Sequence, residues 1–344
     1  MPVSDHALVL AWQQVLELSR LEPGQTITVL TSASTHPQTM STAITAAQTM
    51  GAIVNRLDLP PVNGEKALSR DALAYLGTTP LTGNHAAIAM LKASDLVLDL
   101  MTLLFSPEQM EILETGTRIL LAVEPPEILL RMVPNEGDRA RVKAAAARIE
   151  AARSMHIVSD AGMDFHCPLG QFPVISEYGF VDEPGRWDHW PSGFVLTFPD
   201  DNTAHGRIVL DKGDILLPQK CYIAEPMEFT VEAGYVTHIE GGVDAALLRE
   251  YMESFEDPEA YAISHIGWGL QPRAKWSTLG LYDKEATIGM DARAFEGNFL
   301  FSLGPNNEAG GSRTTACHID IPVRHCTVRL DGVDVVRRGK VLDD

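Results

Sequence analysis

Residues 26–57 read TITVLTSASTHPQTMSTAITAAQTMGAIVNRL, and this stretch decides the fold class. An apolar run of strand length comes first at 26–31, a stretch with helical period follows at 37–50, and a second strand-like run occupies 52–57. A strand, a helix and a strand in this order are typical of two parallel strands joined by a crossover helix. The sequence therefore predicts an α/β layer with a mostly parallel sheet.

The same alternation continues to about residue 160. Further strands are predicted at 95–101, 118–123 and 156–159, and further helices at 69–75, 107–113 and 138–154. We therefore assign residues 1–160 to an α/β N-terminal domain with a mostly parallel sheet.

After residue 160 the pattern changes to short alternating runs separated by glycine and proline, which is typical of antiparallel strands. These runs lie at 194–198, 206–210, 221–223, 228–239, 298–303 and 318–335, and one helix is predicted at 244–255. Asp331 and Gly332 are the dipeptide of a type I′ hairpin turn. Residues 161–344 are thus expected to form a β-rich α+β C-terminal domain.

The charge of the chain excludes some classes of partner. It has 27 Lys plus Arg against 46 Asp plus Glu, which is a formal charge of −19. Such an excess repels nucleic-acid phosphates and anionic lipid head groups, so we expect neither partner. No secretory signal is visible, and Lys92, Asp95 and Asp99 interrupt the most apolar stretch. The four cysteines form no CxxC pair, so we expect a soluble, cytoplasmic protein with reduced thiols.

The sequence lacks a GxGxxG after a strand, a P-loop and a GxSxG elbow. It therefore shows no motif of dinucleotide binding, of nucleoside triphosphate binding or of a serine hydrolase. The segment 315–322 contains His318 and Asp320. If it is a strand, both side chains project to the same side, about 7 Å apart along the chain. An imidazole and a carboxylate so placed can share one cation; the alternative is a surface pair.

A third ligand candidate is His265, which follows a short apolar run and precedes a glycine-rich turn. Together with His318 and Asp320 it makes two imidazoles and one carboxylate. This set suits non-haem Fe(II) and leaves coordination positions open, although it would hold zinc equally well.

A third segment offers acid and base groups among aromatic residues. Glu177 precedes the cluster of Trp187, Asp188, His189 and Trp190, which fits a planar ligand. The alternative is a tryptophan-rich loop that packs the domain junction. The other histidines of this half, His166, His205, His238 and His325, have no comparable context.

Taken in the order in which they occur along the chain, these three segments resemble the thermophilic aminopeptidase family. Its members carry a glutamate after a proline-containing run, an acidic residue before a glycine-rich stretch, and a closing HxD. The matching positions are Glu177, His265 before 266–272, and His318 with Asp320. The resemblance implies the fold of that family for the C-terminal half. His265 replaces the peptidases' glutamate, which argues against a two-metal centre because such a centre needs bridging carboxylates.

Within that superfamily the chain is most similar, over nearly its whole length, to the 2,5-dihydroxypyridine 5,6-dioxygenases. The resemblance implies a mononuclear Fe(II) enzyme, an extradiol-type ring-cleaving dioxygenase with His265, His318 and Asp320 as metal ligands. It also implies that both atoms of O2 enter across C5 and C6 of 2,5-dihydroxypyridine. The product would be N-formylmaleamic acid, in the degradation of nicotinic acid.

The reaction that the resemblance implies needs a base and groups that hold the substrate. His189 is the candidate general base, since an imidazole accepts a proton near neutral pH, and Glu177 is expected to orient the ring by a hydrogen bond. The expected substrate contacts are Arg293, Ser302, Leu104 and Phe105. For Arg293 the alternative is a structural ion pair, and for Leu104 and Phe105 it is core packing.

The sequence is also compatible with two other functions. One is a metal-dependent aminopeptidase of the same fold, and the other is a protein that binds an aromatic ligand or a metal without catalysis. The family fold also implies a homo-oligomer, with a hexamer as one candidate assembly.

Overall fold

The structure is a computed structural model that describes residues 3–60, 79–103, 106–217 and 219–342. The chain separates into two compact units, each built from three segments. Unit 1 contains residues 1–139, 177–192 and 282–290, and unit 2 contains residues 140–176, 193–281 and 291–344. The domain boundary predicted at residue 160 differs from this division, because it makes each domain one continuous segment of the chain.

The helices of the described residues are α1 (Asp5–Leu18), α2 (Pro37–Thr49), α3 (His85–Lys92), α4 (Pro107–Leu113), α5 (Pro126–Arg131), α6 (Glu136–Ala151), α7 (Val243–Glu253) and α8 (Met290–Ala294). Short 3-10 helices lie at Pro258–Tyr261, Trp276–Leu281 and Asn307–Ala309. The helix predicted at 69–75 lies outside the described residues. In the described part of the chain, no helix combines the length and apolar character needed to cross a bilayer.

The first ten strands of the described residues are β1 (Thr26–Thr31), β2 (Ile53–Asp58), β3 (Leu96–Asp99), β4 (Arg118–Leu121), β5 (Ser154–Val158), β6 (Asp164–Pro168), β7 (Ile175–Glu177), β8 (Trp187–His189), β9 (Phe194–Thr197) and β10 (His205–Leu210). They are followed by β11 (Ile215–Leu216), β12 (Cys221–Tyr222), β13 (Met227–Glu232), β14 (Tyr235–Gly241), β15 (Ile263–Gly269), β16 (Phe299–Leu303), β17 (Ile319–Val323), β18 (Thr327–Leu330), β19 (Val333–Arg337) and β20 (Lys340–Val341).

The sheet of unit 1 has the strand order β2-β1-β3-β4-β8, and every neighbouring pair in it is parallel. All residues of β3 and β4 are buried, as expected of parallel strands that are covered on both faces. The predicted strands at 26–31, 52–57, 95–101 and 118–123 are confirmed, and so is the α/β class. Because β8 pairs with β4, a strand from beyond the predicted boundary at residue 160 joins this sheet.

Helix α1 has no counterpart among the predicted elements, although its sequence carries a clear signal. Leu8, Trp12 and Leu16 recur every four residues and are fully buried. The Ser4 hydroxyl accepts a hydrogen bond from the Ala7 N–H and so caps the helix. The Trp12 ring packs edge-on against Trp190 at 4.8 Å, so this helix belongs to the core of unit 1.

The strand predicted at 156–159 exists as β5, but its assignment to the parallel sheet was wrong. β5 pairs antiparallel with β6 and β18. Met155 and Ile157 are buried, whereas Ser154, His156 and Val158 are partly exposed. This alternation belongs to a strand with one solvated face, which an antiparallel sheet allows and a buried parallel sheet does not.

The larger sheet of unit 2 is antiparallel, with the strand order β14-β13-β10-β6-β5-β18-β19-β20. The hairpin predicted at Asp331 and Gly332 is confirmed, because these residues have φ values of 48° and 85° and join β18 to β19. A type I′ turn requires positive φ at both central residues. The β-rich character predicted for the C-terminal part is confirmed.

A second sheet in unit 2 has the order β17-β16-β15-β9-β7. Every residue of β9, β15, β16 and β17 is buried. The run predicted at 318–335 is not one strand: it breaks after β17, where His325 is exposed and has a φ of 61°.

Gly267 of β15 makes this second sheet sensitive to one methyl group. A Cβ atom at position 267 would collide with the Val195 carbonyl of β9 and lie 2.8 Å from the Leu196 Cα. We expect Gly267→Ala to lower the free energy of unfolding by about 3 kcal/mol or more, because the close atoms are backbone atoms of β9 and the two strands must move apart. Urea unfolding followed by circular dichroism measures this loss.

Gly332→Ala is the matched control. Its φ of 85° strains any side chain, but nothing lies within 4 Å of an added Cβ atom. The expected loss is therefore about 1 to 2 kcal/mol from the backbone alone. Equal losses for the two variants would contradict the close approach of β9 and β15.

Candidate active site

Neighbouring strands of unit 2 bring polar side chains together within a buried sheet. Ser302 of β16 lies opposite Asp320 of β17. His318 directly precedes β17, and its Nε2 atom lies 3.1 Å from Asp320 Oδ1. The expectation that these two side chains share one side is thereby confirmed, since residues two apart in an extended chain face the same way.

His265 is presented by a bulge in β15. Ile263 pairs with Leu303 and Ile266 pairs with Phe301, so the residues Ser264 and His265 lie opposite a single residue of β16. A bulge removes a backbone N–H from the ladder and changes the direction of a side chain. The freed N–H of His265 donates to the hydroxyl of that single residue, Ser302, at 2.9 Å. Ser302 therefore stabilises the backbone conformation that presents His265.

Asp320 joins the two imidazoles. Its Oδ1 atom lies 2.9 Å from His265 Nε2 as well as 3.1 Å from His318 Nε2, and its Oδ2 atom accepts a hydrogen bond from Arg293 Nε at 2.6 Å. Burial alone would raise the pKa of Asp320, but Arg293, His318 and His265 hold it well below its usual range. The site therefore contains an ionised carboxylate although only 6% of that side chain is exposed.

The donor set fits a divalent metal ion. Two ligands that lie about 2.1 Å from a metal and subtend a right angle are about 3.0 Å apart, close to the distances of the two Nε2 atoms from Asp320 Oδ1. Two imidazoles and one carboxylate leave half of an octahedral coordination shell open. One donor atom from each of His265, His318 and Asp320 lies within 4.8 Å of the other two.

A second polar group lies in unit 1, at the carboxyl end of β8. His189 Nε2 lies 2.9 Å from Glu177 Oε2, and both side chains are nearly buried. The neighbouring Asp188 binds Arg186 at 2.7 Å and accepts the Tyr178 N–H at 2.9 Å. Because Asp188 is engaged in this way, the pair His189 and Glu177 is the part of the group suited to proton transfer.

A third group, which was not predicted from the sequence, lies on an exposed face of unit 2. His156 Nε2 and His166 Nε2 lie 2.7 and 3.1 Å from Asp164 Oδ1. The expectation that His166 has no comparable context was therefore wrong. The signal was present, because Asp164-Phe165-His166 is the HxD pattern in reverse order.

The residues predicted to contact substrate fall into two sets. The Arg293 guanidinium binds Asp320, and the fully buried Ser302 binds the backbone of His265. Leu104 and Phe105 lie outside the described residues. The substrate contacts assigned to these four residues stay predictions.

Comparison with known proteins indicates one family. A family model described as 2,5-dihydroxypyridine 5,6-dioxygenase matches residues 7–343. A protein of that name from Pseudomonas putida KT2440 is 54% identical over 342 residues, which cover 99% of this chain and 98% of the relative. A solved structure of 2,5-dihydroxypyridine dioxygenase from the same organism, also 54% identical, superposes with a TM-score of 0.97 over 100% of this chain and 99% of the other.

Wild-type AmpT from Thermus thermophilus superposes with a TM-score of 0.60 over 98% of this chain and 99% of its own. At 13% identity this likeness shows a shared fold and nothing more. The predicted fold class and the predicted family are both confirmed.

Asp320 makes the stability of the metal-free protein depend on pH. A carboxyl group whose pKa is lowered by folding stabilises the fold above its unfolded pKa of about 3.9, and this stabilisation is lost as the pH falls through the folded pKa. We expect Asp320→Asn to cost about 3 kcal/mol near pH 7, because Arg293 then lacks its buried partner. The difference from the wild type should shrink on going from about pH 5 to about pH 3.

Urea unfolding of chelator-treated wild type and Asp320→Asn across this range measures both effects. A difference in unfolding free energy that stays constant with pH would contradict the ionised state of Asp320.

Proposed function

Because this chain belongs to the 2,5-dihydroxypyridine 5,6-dioxygenase family, we propose that it is an Fe(II) enzyme that opens the ring of 2,5-dihydroxypyridine. The family makes the chain a dioxygenase that uses O2 and a small-molecule substrate. In the proposed reaction the C5–C6 bond breaks, each of these carbons takes one oxygen atom of O2, and N-formylmaleamic acid forms. The reaction would be a step in the degradation of nicotinic acid.

The observation that carries the choice of metal site is the buried group of His265, His318 and Asp320. It contains two imidazoles and one carboxylate, the set that suits non-haem iron in oxygen chemistry. The group in unit 1 has one imidazole and two carboxylates, one of which binds Arg186. Fe(II) supplies the one-electron chemistry with O2 that no side chain offers.

The protein's first task is to hold the three ligands in place before the metal arrives. The antiparallel register of β16 and β17 fixes Asp320, and the bulge stabilised by Ser302 fixes His265. The hydrogen bond from Arg293 leaves Asp320 Oδ1 facing the two imidazoles. Groups that orient a metal ligand in this way commonly change metal affinity by about 10- to 100-fold when they are lost.

The second task is to remove a hydroxyl proton from the substrate, which makes the ring electron-rich. His189 takes this proton, and Glu177 stabilises the imidazolium that results, since its carboxylate lies 2.9 Å from His189 Nε2. A carboxylate in this position also selects the imidazole tautomer. Orientation of the ring by Glu177 remains part of the proposal.

The third task is to accept a small anion into a protein with a formal charge of −19. In the buried group the charges of Arg293 and Asp320 cancel, so a bound divalent ion leaves a local excess of positive charge. That excess would attract the deprotonated substrate against the overall field. Direct contacts of Arg293, Ser302, Leu104 and Phe105 with the substrate belong to the same proposal.

The aminopeptidase alternative is not favoured. The family match is to a dioxygenase, and the buried group has only one carboxylate among its three ligands. A two-metal hydrolase needs carboxylates that bridge both ions.

Assembly into a homo-oligomer such as a hexamer, in the cytoplasm, completes the proposal. The edge strands β14 and β20 of the larger sheet leave backbone groups that another chain can cover. All four cysteines are free, which agrees with a reducing compartment.

Oxygen uptake tests the reaction and its metal together. Protein reconstituted anaerobically with Fe(II) should consume about one O2 per 2,5-dihydroxypyridine, since both atoms enter the product. We expect His265→Ala to lose bound iron and at least about 100-fold of the uptake rate, because a ligand is removed. An oxygen electrode and iron analysis provide the two readouts.

His238→Ala is the control for this experiment, because His238 is an exposed histidine that pairs with Glu240 on β14. It should keep both iron and activity. The proposed reaction would be contradicted if iron-loaded wild type bound the pyridine without consuming O2. Normal iron content in His265→Ala would show that His265 is not a metal ligand.

The role of His189 needs a separate variant. His189→Ala should keep its iron but lose about 10²- to 10⁴-fold in turnover, the usual contribution of a positioned general base. Added imidazole should restore part of the rate, and Glu177→Gln should show a smaller loss. Turnover near the wild-type value in His189→Ala would show that another group takes the proton.

A further inference from the structure

A row of histidines crosses the exposed face of the larger sheet in unit 2. His156 of β5 lies opposite His166 of β6, and His166 lies opposite His205 of β10. The alternate residues of β5 and β6 are buried, so the row occupies the solvated face. Residues directly opposite each other in antiparallel strands have side chains close enough to bind one ligand.

Asp164 turns the first two of these histidines into a cluster. Its Oδ1 atom lies 2.7 Å from His156 Nε2 and 3.1 Å from His166 Nε2. The two rings stack with their centroids 3.9 Å apart and their planes 11° from parallel. One donor atom from each of the three residues lies within 4.8 Å of the other two.

This cluster repeats the donor set of the buried group. In both places the Nε2 atoms of two histidines approach one oxygen of an aspartate, at 2.7 and 3.1 Å here and at 2.9 and 3.1 Å around Asp320. The difference lies in exposure, because 63% of the Asp164 side chain is exposed against 6% for Asp320. Solvent molecules can complete a coordination shell at the exposed cluster.

The arginine opposite Asp164 does not neutralise it. Arg207 lies opposite Asp164 in the strand register, but its Nε and Nη2 atoms donate to the Gly162 carbonyl at 3.1 and 2.8 Å. Its Nη1 atom lies 3.7 Å from a Glu228 carboxylate oxygen. The negative charge of the Asp164 carboxylate is therefore available to a bound cation.

We infer that His156, Asp164 and His166 form a second metal site, exposed to solvent, for a divalent ion of the zinc, nickel or copper(II) type. Imidazole nitrogen is a good ligand for these ions. Copper(II) should bind more tightly at such a site than either nickel or zinc. The site does not rest on the proposed catalytic function. A bound ion would also link β5 to β6, so it should stabilise the folded sheet.

His205 strengthens the site without being required by it. Its ring stacks on His166 with the centroids 5.3 Å apart, and its Nδ1 atom lies 3.0 Å from the Thr203 carbonyl oxygen. Donation from Nδ1 to this carbonyl selects the tautomer whose Nε2 carries a lone pair. A third imidazole is thus available beside the cluster.

Equilibrium dialysis of metal-free protein against Zn²⁺ tests the inference, with bound zinc measured per chain. His166→Ala and Asp164→Asn should each bind one equivalent less than the wild type. His318→Ala should also lose one equivalent, from the buried group, and the double variant His166→Ala/His318→Ala should lose two. The exposed side chains of His166 and Asp164 can be replaced without disturbing the core, and circular dichroism checks the fold.

His238→Ala is the matched control. His238 Nε2 lies 3.0 Å from Glu240 Oε1 on β14 of the same sheet, so it also pairs an exposed imidazole with a carboxylate. It belongs to none of the candidate metal groups found among the described residues, and its zinc content should equal that of the wild type. Unchanged zinc content in both His166→Ala and Asp164→Asn would overturn the site, as would an equal loss in His238→Ala.

Discussion

The arrangement of the buried site depends on the carboxylate of Asp320. One of its oxygens faces the Nε2 atoms of His265 and His318, and the other accepts a hydrogen bond from Arg293. A buried carboxylate is costly unless donors and opposite charge surround it, and these partners lower its pKa despite burial. Backbone register fixes the group, because β15, β16 and β17 are hydrogen-bonded neighbours. One antiparallel sheet thus sets the distances that a metal ion requires.

In each unit, the pairing of neighbouring strands fixes the position of polar side chains. In unit 1 the parallel pairing of β4 and β8 fixes His189 at a carboxyl end of the sheet, where α/β proteins commonly present functional side chains. In unit 2 antiparallel pairing gives two clusters with the same donor set, one buried and one exposed. Burial distinguishes them: the buried aspartate is held by an arginine, while the exposed aspartate remains open to solvent. The same set of two histidines and one aspartate therefore occurs in two settings that differ in burial and in charge.

Local sequence patterns were sufficient for most of the fold. The strand runs at 26–31 and 118–123 and the turn at Asp331 and Gly332 depend on period and turn chemistry, which act over a few residues. Pairing partners were harder to predict. β5 joined the antiparallel sheet and β8 joined the parallel one, since a strand's neighbour is selected by long-range packing. For this reason each compact unit combines separate segments of the chain.

The sequence by itself determined the closing HxD, because a period of two places His318 and Asp320 on one side of any extended segment. Local context also singled out His265, which follows an apolar run and precedes a glycine-rich turn, and His189, which lies in a cluster with two tryptophans. Only the tertiary structure decided that a bulge turns His265 toward Asp320, and that Arg293 holds the second carboxylate oxygen. It alone also joined His156 to Asp164 and His166. Such contacts depend on which strands lie side by side and in what register, and local patterns of residues do not specify either.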